Sequence, residues 1–573
     1  MAKKTWGIVL LCFLALLFIP PKAVAADSGV CGDHLTWEVN DAGTLTIKGT
    51  GDMYDYSGKE QFWKNSSSKF NTLVIEPGVT NIGHSAFMLC QDLTKVTIPE
   101  SVTRIENGAF AWCKNLSDVT IPNGVVSIGR QAFQECKITD LNIPNSMKEI
   151  EFASFLYCSE LRHIRIPASV TNIGEGALSG CTSLIDFDVD ENNPAYVAVN
   201  GALFNKDQTT LLAFAAGRGI VYGVPNSVTK IGGRAFERCG NLTNIIIPES
   251  VTSITGSLAF ASCKSLTEIR VADGNPAYSS VKGVLFDKNQ KTLLACPGGL
   301  VGSYIVPNSV NTIGGNAFNG CENLTDVTML NGVTSIGRDA FSGCSSITKV
   351  VIPGSVTKSG DSYESNAFRN CPNLKDVYYG EDEVHWNAIE SATPMIADSV
   401  TVHYSFADVP SNAYYADAVN WAVSQGITNG TTETTFSPNN TCTTANIITF
   451  LWRANGSPEP KTSNQFSDVQ TGQYYAKAAV WAYENKLVSG KTFNGGAPCT
   501  RAATMQYLWI LSGSPSSASN PFSDVSSNAN YAQAVAWAVA QGVTNGQTAT
   551  TFAPDDTCTR GQIVTFLLRY YLR

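Results

Sequence analysis

Apolar positions recur along this chain in two different rhythms, and the change falls near residue 405. Before it, the string A-F-x-x-C returns ten times, at Cys90, Cys113, Cys136, Cys158, Cys181, Cys239, Cys263, Cys321, Cys344 and Cys371, with small departures such as Leu178 for Phe. Most copies continue with Leu, a short alternating run and Pro, as in Leu93, Val96, Ile98 and Pro99, then a turn and a second apolar pair such as Val102 and Ile105. Alternation with a period of two marks a strand with one buried face, and Pro has no amide hydrogen to extend the ladder. Most successive cysteines lie 22 to 24 residues apart. A unit that short holds one strand, one corner and one return segment and cannot enclose a core alone. Units must therefore stack, each covering the apolar face of the one before. The predicted architecture over 71–404 is a β-rich solenoid.

Two cysteine intervals stretch to 58 residues, and both hold N-P-A-Y…G-x-L-F…T-L-L-A, at Asn193 to Ala213 and Asn275 to Ala295. Alternation around Gly201 and Gly283 predicts a hairpin inserted into an expanded coil, over about 186–220 and 268–303. Upstream, Leu35 to Val39 and Thr44 to Lys48 alternate across Asn40-Asp41-Ala42-Gly43, a hairpin signal that places a β cap over 26–70. The stretch Val377 to Val402, with Trp386, should cap the other end.

From residue 405 the period becomes helical. Phe406-Ala407-Asp408-Val409, Phe466-Ser467-Asp468-Val469 and Phe522-Ser523-Asp524-Val525 open three units, 405–455, 464–512 and 521–573, joined by linkers rich in Ser, Pro and Asn. Each runs on through Tyr and Ala to a Trp-Ala pair, at Trp421, Trp481 and Trp537. Ala416 to Gln425 reads as helix with Gly426 as its stop, and Gly542 plays that part in the third unit. A second helix begins at Thr443, Thr500 or Thr559, each a suitable N-cap. The chain is thus expected to be multidomain, a solenoid followed by an all-α bundle of three modules.

Composition narrows the function. The 573 residues carry 39 Lys and Arg against 48 Asp and Glu, a net charge of −9, with 15% of positions charged. An acidic chain without a basic run lacks the clustered cations that displace counterions from nucleic acid, so no nucleic-acid partner is expected. Lys3 and Lys4, the apolar run Ile8 to Ile19 and Ala23-Val24-Ala25 form the three parts of an export leader, 1–25, cleaved after Ala25. That run of about twelve residues falls short of the roughly twenty a bilayer needs. No later segment is long and apolar enough to span, so a secreted chain needs a different attachment if it stays at the cell.

Ten of the fifteen cysteines beyond the leader occupy one position in successive coils. There Cys is a small apolar filler beside the Phe ring, and buried thiols are expected. Strands about 4.8 Å apart put neighbours within disulfide reach, but parallel inward side chains do not supply the dihedral. A ladder converges on no point, so no metal site is expected. Cys442, Cys499 and Cys558 should pack inside the helical units.

The repeat of strand, proline corner, V-T-x-I-G and A-F-x-x-C, over roughly Asn71 to Tyr404, resembles leucine-rich-repeat proteins of the BspA-like type. The three C-terminal units are similar to S-layer homology (SLH) modules. That resemblance implies a pseudo-threefold helical bundle holding the pyruvylated secondary cell-wall polysaccharide of a bacterium without a covalent bond. The family motif T-R-A-E stands here as Thr500-Arg501-Ala502-Ala503 and Thr559-Arg560-Gly561-Gln562, but as Thr443-Thr444-Ala445-Asn446 in the first unit. Arg501 and Arg560 are carried over as contacts to an anionic ligand, since a guanidinium fork suits a pyruvate carboxylate. Thr444 cannot act in this way, and Glu is missing from all three motifs. Trp421, Trp481 and Trp537 join the candidate sugar contacts, with helix core as their other reading. Asp408, Asp468 and Asp524 join them too, with turn or helix capping as the alternative.

The five histidines, His34, His84, His163, His385 and His403, form no H-E-x-x-H, and no G-x-S-x-G or Walker loop appears. A catalytic site needs unlike groups converging, whereas coils offer near-identical ones, so neither an enzyme nor a cofactor is expected. A solenoid offers instead a broad strand surface. Its outward positions include Lys95, Thr97, Asp118, Thr120, Asp140, His163, Arg165, Asp186, Glu268, Arg270, Asp326, Lys349 and Tyr378. They vary where inward ones do not, as a ligand face would; a plain solvated sheet is the other reading. The resemblance implies a host or bacterial surface protein, or matrix, as partner, as in adhesins. A structural surface-layer component that only tiles, and a wall-anchored enzyme acting on polymers, stand as alternative readings.

Overall fold

The computed structural model describes residues 27–64, 69–359, 366–392, 394–517 and 520–573; the predicted leader lies outside them. The chain divides into two compact units, Met1–Ala198 and Val199–Arg573.

In the first unit, strands Ser28–Gly32, Leu35–Val39 and Thr44–Gly49 run antiparallel. Pairing then turns parallel, through Thr72–Ile75, Lys95–Thr97 and Asp118–Val119. A second parallel ladder stacks Ile82, Ile105, Ile128, Ile150 and Ile173 in register, one from each V-T-x-I-G-type segment. Phe87, Phe110, Phe133 and Phe155 stack behind it with ring centroids 5.3 to 5.5 Å apart. Each following cysteine is buried and donates from Sγ to the carbonyl of the Phe one coil earlier: Cys113 to Phe87 at 3.1 Å, Cys136 to Phe110 at 3.2 Å, Cys158 to Phe133 at 3.1 Å. Cysteine is small enough for the site and still satisfies a buried carbonyl, which alanine could not. The residue before each of these cysteines turns the chain in the left-handed region, as at Leu89, Trp112, Glu135 and Tyr157.

In the second unit, parallel pairing joins Val221–Gly223, Asn244–Ile247 and Glu268–Val271, and separately Gly302–Ile305, Leu324–Thr328, Lys349–Ile352, Asp376–Tyr379 and Thr401–His403. Each insert is an antiparallel hairpin whose last strand rejoins the coil. Ala202–Asn205 pairs with Thr210–Phe214, which pairs parallel with Lys230–Ile231; Val284–Asp287 and Thr292–Ala295 repeat this with Thr312–Ile313. The N-P-A-Y motif seats the hairpin. Asn275, fully buried, donates from Nδ2 to the Pro248 and Val251 carbonyls and accepts the Ala277 and Tyr278 amides. The Tyr278 hydroxyl accepts the Ile254 amide. Asn193 and Tyr196 do the same in the first unit, for Pro167, Val170 and Ile173. After the last turns comes helix α1 (Glu383–Ala392), which buries Trp386 and Ile389.

The three helical modules are α2 (Ala416–Ser424) with α3 (Thr444–Ala454), α4 (Ala476–Glu484) with α5 (Arg501–Leu511), and α6 (Ala532–Ala540) with α7 (Arg560–Leu572). Thr443, Thr500 and Thr559 cap the second helices through their side chains, with reciprocal capping boxes from Asn446 and Gln562. α3 packs on α4, α5 on α6, and α7 back on α2, so the modules close into a ring. On its pseudo-threefold axis the amides of Cys442, Cys499 and Cys558 donate to the carbonyls of Cys558, Cys442 and Cys499, each at 2.9 Å. The described cysteines are free and, Cys371 aside, buried. Among the described residues no helix is long and apolar enough to cross a membrane.

Candidate functional site

Each seam of the ring places the start of one module's second helix against the turn that precedes the second helix of the next. The first helical amides have no partner within their own helix, and they borrow carbonyls across the seam. Arg501 and Ala502 donate to Asp556 and Pro554, Arg560 and Gly561 to Asn440 and Pro438, Thr444 and Ala445 to Ala497 and Gly495. Motif position two therefore lies inside a seam by construction. Gly561 stands at the position of the motif's Ala, and a Cβ there would lie 3.0 Å from the Tyr415 ring.

The three seams differ chemically. In the seam of modules two and three, Arg501 is 3% exposed and donates from Nε to the Phe552 carbonyl at 2.7 Å. Its guanidinium lies 4.8 Å from the Phe552 ring centre and 5.5 Å from that of Phe566. Its Nη2 is buried without a hydrogen-bond partner. In the seam of modules three and one, Arg560 donates from Nε to the Phe436 carbonyl at 3.0 Å and spends Nη2 on the Asn429 carbonyl at 2.7 Å and Thr428 Oγ1 at 3.4 Å. Burial pulls both guanidinium groups below their usual range. The seam of modules one and two has no cation at this position; Thr444 Oγ1 donates to the Ala497 carbonyl.

Asp408, Asp468 and Asp524 each clamp the turn that forms the opposite wall. Their carboxylates accept the amides of Phe436 and Ser437, of Phe493 and Asn494, and of Phe552 and Ala553, at 2.7 to 3.1 Å. Asp468 is held below the usual carboxylate range by its two amides. At Asp524 desolvation pushes upward, and the amides of Phe552 and Ala553 outweigh it. Asp408 and Asp524 thus position the phenylalanines whose carbonyls hold Arg560 and Arg501. Trp421, Trp481 and Trp537 are 3 to 6% exposed within the apolar core, Trp421 beside Tyr571 and Trp537 beside Tyr570.

Tyr414 and Tyr474, which the sequence reading did not single out, are 63% and 59% exposed at the starts of α2 and α4. The Tyr474 hydroxyl accepts from Asn446 Nδ2 at 2.9 Å, across the first seam. The signal was the Tyr-Tyr pair before Ala in modules one and two, where module three has Asn530.

On the solenoid of the first unit, outward strand residues pair across the ladder: Lys95 with Asp118 at 2.7 Å, Arg165 with Asp188 at 2.9 Å and Asp190 at 3.4 Å. Asp140, His163, Arg165 and Asp186 line a 420 Å³ depression there, and Thr97 and Thr120 are also exposed. In the second unit Glu268 and Arg270 are exposed, and Tyr378 stacks on His403 at 4.5 Å. Asp326 and Lys349, expected on a free face, are instead engaged by α2: Asp326 is 6% exposed and accepts from Gln425, and Lys349 donates to the Ser424 carbonyl.

Coils of this kind followed by a ring of three two-helix modules define a repeat protein with a helical three-module tail. The chain belongs to the BspA-type leucine-rich-repeat family, which matches it in six copies over residues 80–200, 221–290 and 300–418. S-layer homology domains match residues 405–443, 465–504 and 521–564. SLH domains bind cell-wall secondary polymers, so the protein is a cell-surface protein anchored to the cell wall. Neither domain type is catalytic. Similar solved structures include a leucine-rich repeat protein from Eubacterium ventriosum (26% identical, TM-score 0.43, 66% of this chain and 94% of that one). Another is a leucine-rich cell surface protein from Faecalibacterium prausnitzii (25%, TM-score 0.39, 65% and 99%). Among curated relatives are the amylopullulanase of Thermoanaerobacterium thermosulfurigenes, 27% identical over 207 residues, and endo-1,4-beta-xylanase A of Thermoanaerobacterium saccharolyticum, 34% over 86. These matches take in 32% and 15% of this chain and only 11% and 7% of those enzymes.

Proposed function

We propose that the protein is secreted, grips a pyruvylated wall polysaccharide through its SLH ring, and displays the solenoid to bind another protein or matrix, as an adhesin does. One observation carries the wall-binding part: Arg501, sealed in a seam with Nη2 unspent. A buried guanidinium donor without an acceptor is costly, and a ligand carboxylate admitted to the seam would satisfy it with a charge-assisted bond. Two arginine-bearing seams on one ring would hold a repetitive polymer better than either alone. Variation among the exposed outward strand residues supports the display half. Paired Arg501→Ala and Arg560→Ala should weaken binding to purified wall polymer at least about tenfold, the loss of one or two charge-assisted hydrogen bonds. Undiminished affinity, with the helical circular dichroism signal intact, would refute the assignment.

A further inference from the structure

On the strand face of the last turns, side chains that would ordinarily meet solvent meet α2. Lys349 Nζ donates to the Ser424 carbonyl at 2.8 Å, at the C-terminal end of α2, where the helix dipole favours a cation. Gln425 Nε2 donates to Asp326 Oδ1 at 3.0 Å. Near the start of the helix, the Asn331 amide donates to Asp417 Oδ2 and Asn331 Nδ2 donates to the Ser411 carbonyl, both at 2.8 Å. Between these polar pairs Thr328 and Val351 are 1% and 3% exposed, and Leu330 joins the apolar core of the ring. Both ends of one helix are thus in hydrogen-bond register with the coils beneath it.

α2 also departs from its sibling helices along this face. Asp417, Asn420 and Ser424 follow one another at helical spacing. The matching residues are Lys477, Val480 and Glu484 in α4, and Gln533, Ala536 and Ala540 in α6. A lysine at 417 offers no acceptor to the Asn331 amide. Module one is also the module whose seam motif carries Thr444 in place of arginine.

We propose that the strand face from Leu324 to Tyr379 is a recognition surface for this chain's own first module, and that α2 has diverged from α4 and α6 to fit it. An external partner of the solenoid is then confined to strand positions outside Leu324 to Tyr379. The docking holds whether or not the ring binds wall polymer, so failure of one reading leaves the other standing.

The test uses the full chain. Lys349→Cys with Gln425→Cys, whose native side chains meet at 3.4 Å, should be joined by a short bismaleimide within one molecule, the native thiols being almost all buried. Adding Asp417→Lys, Asn420→Val and Ser424→Glu gives α2 the residues α4 already uses in the folded ring. That variant should keep its helical signal, cross-link about tenfold less, the equivalent of about 1.4 kcal/mol, and lose hydrogen-exchange protection at the Asn331 amide. Two results would overturn the proposal: no cross-link in the parent pair while both sites take a monofunctional maleimide freely, or unchanged cross-linking and exchange after the swap.

Discussion

Replacing Asp417 with Asn removes one charge from the contact between α2 and the coils while keeping an oxygen for the Asn331 amide. Desolvation, opposed by that amide, pushes the Asp417 carboxyl up to about 6, against about 3.9 for an aspartate in an unfolded chain. The folded state holds this proton more tightly than the unfolded one. The stability the group contributes is therefore fully present below about pH 4 and is lost as the pH rises through about 6. At about 1.4 kcal/mol for each pH unit of displacement, the ionised carboxylate costs the folded state up to about 3 kcal/mol at neutral pH. Solvent at its exposed edge brings the figure down, so we expect about 1 to 3 kcal/mol. Asp417→Asn should thus be more stable than the wild type at pH 7.5 by that amount and match it near pH 4. Urea unfolding at both pH values, followed by the helical signal that α2 to α7 dominate, measures the difference, and other titrating groups cancel between the two proteins. Equal stability at pH 7.5, or a weaker Asn variant there, would show that the carboxylate is not held in the buried contact described.

Asn275→Ala strips partners from two buried carbonyls and two amides at the second insert; at about 1 kcal/mol or more for each unsatisfied group it should cost about 3 to 5 kcal/mol in urea unfolding, and a loss under about 1 kcal/mol would mean the motif does not seat the hairpin. Burial pushes the thiols of Cys90 and Cys181 up to about 12, so a thiol reagent at pH 8 should label the ladder only as the protein unfolds. Labelling without reductant should then reach every cysteine from Cys31 to Cys558. Near-zero free thiol in the denatured protein would replace the ladder of thiols with disulfides.

The solenoid was legible because its signal is one-dimensional: a coil 22 to 24 residues long repeats the same inward residues, and stacking is the only way to bury them. The role of the ladder cysteine was only half legible. Its size follows from the pattern, but the bond from Sγ to the carbonyl of the preceding Phe needs the coil register. The left-handed residue before the cysteine was hidden for another reason. It is glycine at Gly180, Gly320 and Gly343 but Leu89, Trp112, Glu135, Tyr157, Arg238, Ser262 or Asn370 elsewhere, because the stacked coils impose the conformation whatever the side chain. The threonine caps of α3, α5 and α7 are local and were readable. The covering of Asp326 and Lys349 was not, since period-two alternation tells which side of a strand a residue faces and nothing about what arrives there later in the chain.

The departures from threefold symmetry in the ring bear on the division of work among its modules. Three equivalent seams would carry three equivalent donors, yet Arg501 leaves Nη2 unspent, Arg560 commits it to Asn429 and Thr428, and Thr444 brings no charge at all. Fold maintenance does not explain the gradation, because each seam already closes through the same pair of backbone hydrogen bonds and the same cysteine triangle. The neutral seam begins from the module whose first helix is engaged with Asp326, Asn331 and Lys349. The proposed docking on the coils asks α2 for an acceptor at Asp417 and a small residue at Ser424, and the proposed binding of an acidic wall polymer would ask the seams for arginine. A module duplicated twice can meet both demands only if its copies diverge, and Asp417, Ser424 and Thr444 are among the positions at which they differ.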